Sequence, residues 1–247
     1  MNEFSNQLPS ILDQIIVSIP AFKPELALIL TFLISIIATL FFDKIWKYSS
    51  LLVTSIGIII ALLLTVGQLG HPSSGFFGML IIDNFSVYAR VIILMAVLIV
   101  IALIQQHFKN KESHKNLGDI YSILLTAALG VNLLTLTTNW LFIFIAIETV
   151  SISSYILVGY FSNTKKQTEA AMKYVLFGAV SAAVMLYGLS LLYGFTGNLD
   201  FSSLAHIQGL MVAPKVMTSI AILFLLAGIG FKLGFVPFHM WTPDVYE

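Results

Sequence analysis

Apolar runs of about 20 residues recur from one end of this sequence to the other, more than a water-soluble fold can bury. A bilayer core is about 30 Å thick, so a helix rising 1.5 Å per residue needs roughly 20 apolar residues to cross it. The runs predict about seven crossings, near 25–42, 48–69, 84–107, 119–138, 139–161, 168–196 and 216–241. Of the 247 residues, 58% are hydrophobic and only 10% charged. The expected class is all-α: a polytopic helix bundle forming one membrane domain over residues 1–247, with the lipid bilayer as a partner.

Breaks in the runs carry further information. The fourth and fifth abut at Thr138 and Asn139, where a tight turn is expected to send the fifth helix back antiparallel to the fourth. The seventh is interrupted by Gly228, Gly230, Gly234 and Pro237, which predicts a discontinuous helix: proline removes a backbone donor and glycine tolerates the altered geometry. Residues 198–215 read as an interfacial loop with one short amphipathic turn at most. The stretch 8–22, cut by Pro9, Asp13 and Pro20, reads as an interfacial N-terminal segment. The first 23 residues lack the basic leader and small-residue site of a cleavable signal, so the first span is expected to direct insertion.

Charge narrows the function classes. The net charge is zero and no basic run is present, which argues against nucleic acid. Without cysteine there is neither a disulfide nor a thiolate-held iron–sulfur cluster, and no His, Asp or Glu pair has metal-ligand spacing on one helix face. Lys44, Lys47, Lys109, Lys111, Lys115, Lys165 and Lys166 fall in the connections after the first, third and fifth spans, against Lys23 and Lys215 on the other side. By the positive-inside rule those three connections are cytoplasmic and the N-terminus lies outside.

Charges inside the spans are the candidate functional residues, because a charge at bilayer depth costs roughly 2.5–3.5 kcal/mol even on the lenient insertion scale. Glu148 falls within about 3 Å of the middle of the fifth span, and Lys173 about 8 Å deep along the sixth. Lys232 lies beside the glycine-rich break of the seventh. Glu148 and Lys173 are expected to approach each other across neighbouring helices, each stabilising the other's charged form, so that moving one retunes its partner. A lysine beside a break, wetted on one side only, can load and release a proton, and His239 beyond it can extend the path. The competing reading for these charges is a purely structural ion pair or kink. Thr149, Ser151, Ser153 and Ser154 fit interhelical contact better than catalysis. Arg90 reads as snorkelling to the interface. His71, His107, His114 and His206 read as loop residues.

The stretch Phe231-Lys232-Leu233-Gly234-Phe235-Val236-Pro237-Phe238-His239-Met240-Trp241-Thr242-Pro243-Asp244-Val245-Tyr246-Glu247 resembles the antiporter-like membrane subunits of proton-translocating NADH-quinone oxidoreductase, or complex I, and its ending resembles the subunit N branch in particular. Thr168 to Gly178 and Glu148 to Tyr160 resemble the sixth and fifth helices of that branch, and the likeness covers about residues 24–247. The resemblance implies an inverted-repeat fold, of which this chain holds the first part, and a polar axis on which Glu148, Lys173 and Lys232 act as a proton relay. It implies a respiratory translocase in the bacterial inner membrane, with other complex I membrane subunits as partners. NADH, flavin, iron–sulfur clusters and quinone would all lie elsewhere in the complex. The family pattern continues past Glu247, so the chain is expected to be about half of its protein. A sodium/proton antiporter subunit and a non-transporting membrane scaffold are the alternatives.

Overall fold

The computed structural model describes residues 2–42, 46, 48–108, 117–160, 162 and 164–246, with side chains from residue 8 onward. Lys44, Lys47, Lys109, Lys111, Lys115 and His114, which the sequence reading used, lie outside the described residues. Seven described helical stretches are long and apolar enough to cross a membrane: Leu8–Phe42, Ser49–Val66, Asn84–Phe108, Leu117–Leu134, Trp140–Tyr160, Lys165–Thr196 and Lys215–Leu233. The protein is an all-α membrane bundle whose exposed apolar side chains, Phe85 and Ile92 among them, suit contact with lipid. The chain divides into two compact units, Met1–Thr137 and Thr138–Glu247.

The first unit holds α1 (Asn2–Ser18), α2 (Lys23–Ile37), α3 (Ser49–Val66), α4 (Asn84–Phe108) and α5 (Leu117–Leu134). The N-terminal stretch, expected as an interfacial segment, is helical, because its later prolines sit where they cost little. Pro20 opens a 3-10 turn over Ile19–Phe22 and Pro24 opens α2, positions whose N–H groups have no helical partner. Leu28, Ile58, Ala61, Leu94, Ile101, Tyr121 and Leu125 form the core. Between α3 and α4 the sequence reading missed a short antiparallel hairpin, β1 (Ser73–Gly75) and β2 (Leu80–Ile82). The Phe76 amide of its turn donates to Ser18 Oγ, and the Phe76 ring meets Phe22 edge-on.

Arg90 does not snorkel. It is buried, and its guanidinium binds the buried Glu25 carboxylate at 2.9 Å, Gln68 Oε1 at 2.7 Å and the Ser86 carbonyl at 3.3 Å. Two buried charges persist at such a site when each neutralises the other and the remaining donors find acceptors.

The second unit holds α6 (Trp140–Tyr160), α7 (Lys165–Thr196), α8 (Leu204–Val212), α9 (Lys215–Leu233) and α10 (Thr242–Tyr246). Asn139 caps α6, its Oδ1 accepting from the amides of Leu141 and Phe142. Thr164 and Gln167 cap α7 reciprocally. α7 and α9 approach closely at two glycines. A Cβ on Gly188 would lie 2.8 Å from the Ala221 carbonyl oxygen, and one on Gly228 would run into Met185. Met185, Leu189, Leu192, Ala221 and Leu225 form the core. The 198–215 connection contains a nine-residue helix, α8, whose His206 is buried, its Nδ1 2.7 Å from the Asn198 carbonyl oxygen. Burial works against the charge of Asp200 in the same connection, but hydrogen bonds from the Ser202 hydroxyl and amide, with a smaller one from Thr138, hold its carboxyl below the usual range. The Thr138 carbonyl also accepts from the Phe201 amide, which ties this connection to the start of α6.

Two outcomes are expected. Arg90→Leu strands the Glu25 carboxylate and lowers stability by about 3–5 kcal/mol in a thermal melt in detergent, whereas an apolar replacement of both partners costs less. Asp200, with its folded value lowered, contributes stability that is present above the unfolded carboxylate value of 3.8 and lost as pH falls through the lower one. Amide-exchange protection at Trp140 and Phe201, taken relative to the intrinsic exchange rate at each pH, therefore falls on acidification through that window, and Asp200→Asn removes this fall.

Candidate charge-relay site

The site is built around the end of α9. Gly234 takes the left-handed conformation, φ 66°, which glycine adopts without a Cβ penalty. The Gly230 carbonyl then accepts from the Phe235 amide at 2.8 Å, and the Phe231 carbonyl accepts from the Gly234 amide at 3.1 Å and from Trp241 Nε1 at 3.0 Å. The helix stops at Leu233 rather than running on to 241. An irregular segment carrying Pro237 follows, then the single turn of α10. The expected discontinuity is present, with its first break at Gly234.

Lys232 occupies the last turn of α9, where the negative end of the helix dipole favours a cation. Its Nζ lies 2.9 Å from Glu148 Oε1 and donates a 2.8 Å hydrogen bond to Tyr155 Oη. The two charged side chains are only 14% and 19% exposed, so little solvent screens the pair. Glu148 and Tyr155 are seven residues apart, two turns of α6, and so share one face of that helix. The ammonium also sits 5.3 Å from the Tyr155 ring centre and 5.8 Å from that of Phe231. Gly178 on α7 leaves the room that Tyr155 fills, since a Cβ there would collide with the phenol oxygen.

Lys173 is not the partner of Glu148, contrary to the expectation from depth along the helices. Its ammonium lies 2.9 Å from Glu169 Oε1, one turn earlier on α7, and 2.9 Å from Asp244 Oδ2 on α10. Depth gave no rotation about the helix axis, and the chain beyond Gly234 brings an unforeseen carboxylate to Lys173. Tyr174 stacks on Trp241 at 4.4 Å and meets the Tyr155 ring edge-on at 4.6 Å. An aromatic cluster thus links the surroundings of the two lysines. His239 is not joined to Lys232 by a hydrogen bond, and its buried Nδ1 has no hydrogen-bond partner among the described residues. The hydroxyls of Thr149, Ser151, Ser153 and Ser154 each donate to the carbonyl four residues earlier and take no part in the ion pairs.

Sequence reasoning assigns no role to Tyr155 or Asp244. The seven-residue step from Glu148 could have identified Tyr155. No local signal identifies Asp244, which requires knowing where α10 returns.

Residues 137–247 match the family described as NADH:quinone oxidoreductase/Mrp antiporter, transmembrane. The chain is 33% identical over 224 residues to NADH-quinone oxidoreductase subunit N of Acidithiobacillus ferrooxidans, covering 91% of this chain and 46% of that protein. It is 36% identical over 228 residues to NAD(P)H-quinone oxidoreductase subunit 2 of Prochlorococcus marinus, covering 92% and 43%. Among solved structures, respiratory complex I from Thermus thermophilus with bound aureothin matches with TM-score 0.70 and 29% identity over 90% of this chain and 47% of that one. An archaeal membrane-bound sulfane sulfur reductase shares the fold, with TM-score 0.68 at 20% identity over 93% and 47%. The chain spans less than half the length of these relatives. Residues 137–247 thus carry the pattern of the NADH:quinone oxidoreductase/Mrp antiporter family, and the chain as a whole is similar to subunit N of NADH-quinone oxidoreductase.

Proposed function

We propose that this chain is part of a proton-translocating membrane subunit of a respiratory NADH-quinone oxidoreductase, in which Glu148 and Lys232 form the charge pair that loads and releases protons. The observation that carries this reading is the Lys232 ammonium in the last turn before a helix break, 2.9 Å from Glu148 and bonded to Tyr155. While the carboxylate is close, the ammonium is stabilised. When the carboxylate moves or takes up a proton, Lys232 loses its counter-ion in a poorly solvated site and gives a proton up. Moving one charge against 100 mV costs about 2.3 kcal/mol, and loss of a counter-ion at low dielectric is of that order. Lys173 is the second lysine of the relay, and His239 is its extension beyond the break.

The driving free energy comes from NADH oxidation and quinone reduction in other subunits, where flavin, iron–sulfur clusters and quinone would reside. The other membrane subunits of that complex are the partners. The setting is the bacterial inner membrane, with the N-terminus outside and the lysine-rich connections after the first, third and fifth spans cytoplasmic.

In inverted membrane vesicles carrying the assembled complex at matched content, Lys232→Ala lowers proton uptake coupled to NADH oxidation by roughly tenfold. Unchanged uptake would reduce Lys232 to a structural residue of the break. Sodium-dependent exchange without NADH would favour an antiporter, and a change in complex content alone would favour a scaffold. Gly178→Ala and Tyr155→Phe each lower uptake by disturbing the same phenol, and in the double variant the losses do not add, which a double-mutant cycle measures.

A further inference from the structure

Lys173 and Lys232 are tied to opposite ends of one irregular segment. Lys232 lies two residues before Gly234, and Asp244, the partner of Lys173 at 2.9 Å, lies ten residues after it. Between them the chain is tied down by the Trp241 ring, which donates to the Phe231 carbonyl and stacks on Tyr174, the neighbour of Lys173. Any motion that re-aims the end of α9, and with it Lys232, therefore also moves the counter-ion of Lys173.

The Lys173–Asp244 pair has the properties of a contact made to open. The two side chains are 43% and 39% exposed, so the pair holds the fold only weakly. Asp244 also lines an open cavity of about 260 Å³, together with Leu157, Ser162, Gln167 and Ala170, between the end of α6 and the start of α7. Glu169, on the same helix as Lys173, stays with the lysine whatever the broken segment does. Among the ion-pair partners of Lys173 in the described residues, only Asp244 lies on an element other than α7.

We propose that Asp244 is a positioning residue of the relay: a movable counter-ion, carried by the segment after the helix break, that couples the charge state of Lys173 to the position of Lys232. The inference rests on the relay reading above and adds to it a residue and a direction of coupling. Motion of the segment exchanges Lys173 between two carboxylates and one, while the same motion changes the distance from Lys232 to Glu148.

The test uses the assembled complex in inverted vesicles, with Asp244→Asn, Asp244→Glu and Lys232→Ala measured side by side for proton uptake per NADH oxidised. Asparagine keeps the shape and one acceptor oxygen but not the charge, so a structural role survives it. The expected result is a roughly tenfold loss of uptake in Asp244→Asn at unchanged complex content, with most of it restored in Asp244→Glu. Normal uptake in Asp244→Asn beside a loss in Lys232→Ala overturns this inference and leaves the relay standing. Normal uptake in Lys232→Ala overturns both. If Asp244→Asn fails to assemble, the double variant Asp244→Asn/Lys173→Gln decides: recovered assembly without pumping supports action through Lys173, and continued failure overturns it.

Discussion

In hydrocarbon every backbone polar group must find its partner within the protein, and a helix can be broken there only where its freed carbonyls are taken up. At the end of α9 the Gly230 and Phe231 carbonyls are claimed by the amides of Gly234 and Phe235 and by the Trp241 indole. That local solution lets Lys232 end a helix inside the unit rather than continue through it. The positions of α10, Asp244 and the stacked aromatics follow from it, because all of them lie on the chain that the break redirects.

The ion pairs around Lys232 and around Lys173 use different physics. Glu148 and Lys232 are mostly shielded, so their attraction is strong and separating them is expensive. Lys173 with its two carboxylates is wetter and cheaper to rearrange. The first unit shows a third case. Glu25 and Arg90 are entirely buried and further fixed by Gln68, which suits a structural clamp rather than a moving charge.

The spans were legible in the sequence because length and hydropathy are properties of a single run, and the seven expected crossings correspond to seven helical stretches. Glu148 and Lys232 stood out because a charge among apolar residues is costly wherever it points. Their pairing was not legible. It depends on the rotation of α6, α7 and α9 about their own axes, which depth along a helix does not supply, so Glu148 was matched to the wrong lysine. The expected seventh span is eight residues too long because its composition stays apolar past Gly234 while its backbone does not stay helical. The β1–β2 hairpin has three-residue strands, too short for an alternating pattern to register. Arg90 and Glu25 are 65 residues apart, and nothing local in either announces the other.

Gly178 bears no functional group, yet it shapes the chemistry at Lys232 by leaving the room in which the Tyr155 phenol lies. Positions 155 and 178 are consequently bound to each other through excluded volume. A bulkier residue at 178 is tolerable only with a smaller one at 155, and a smaller residue at 155 gives up the oxygen that meets the ammonium. The freedom of this site to drift is thus set in part by a residue that never touches a proton.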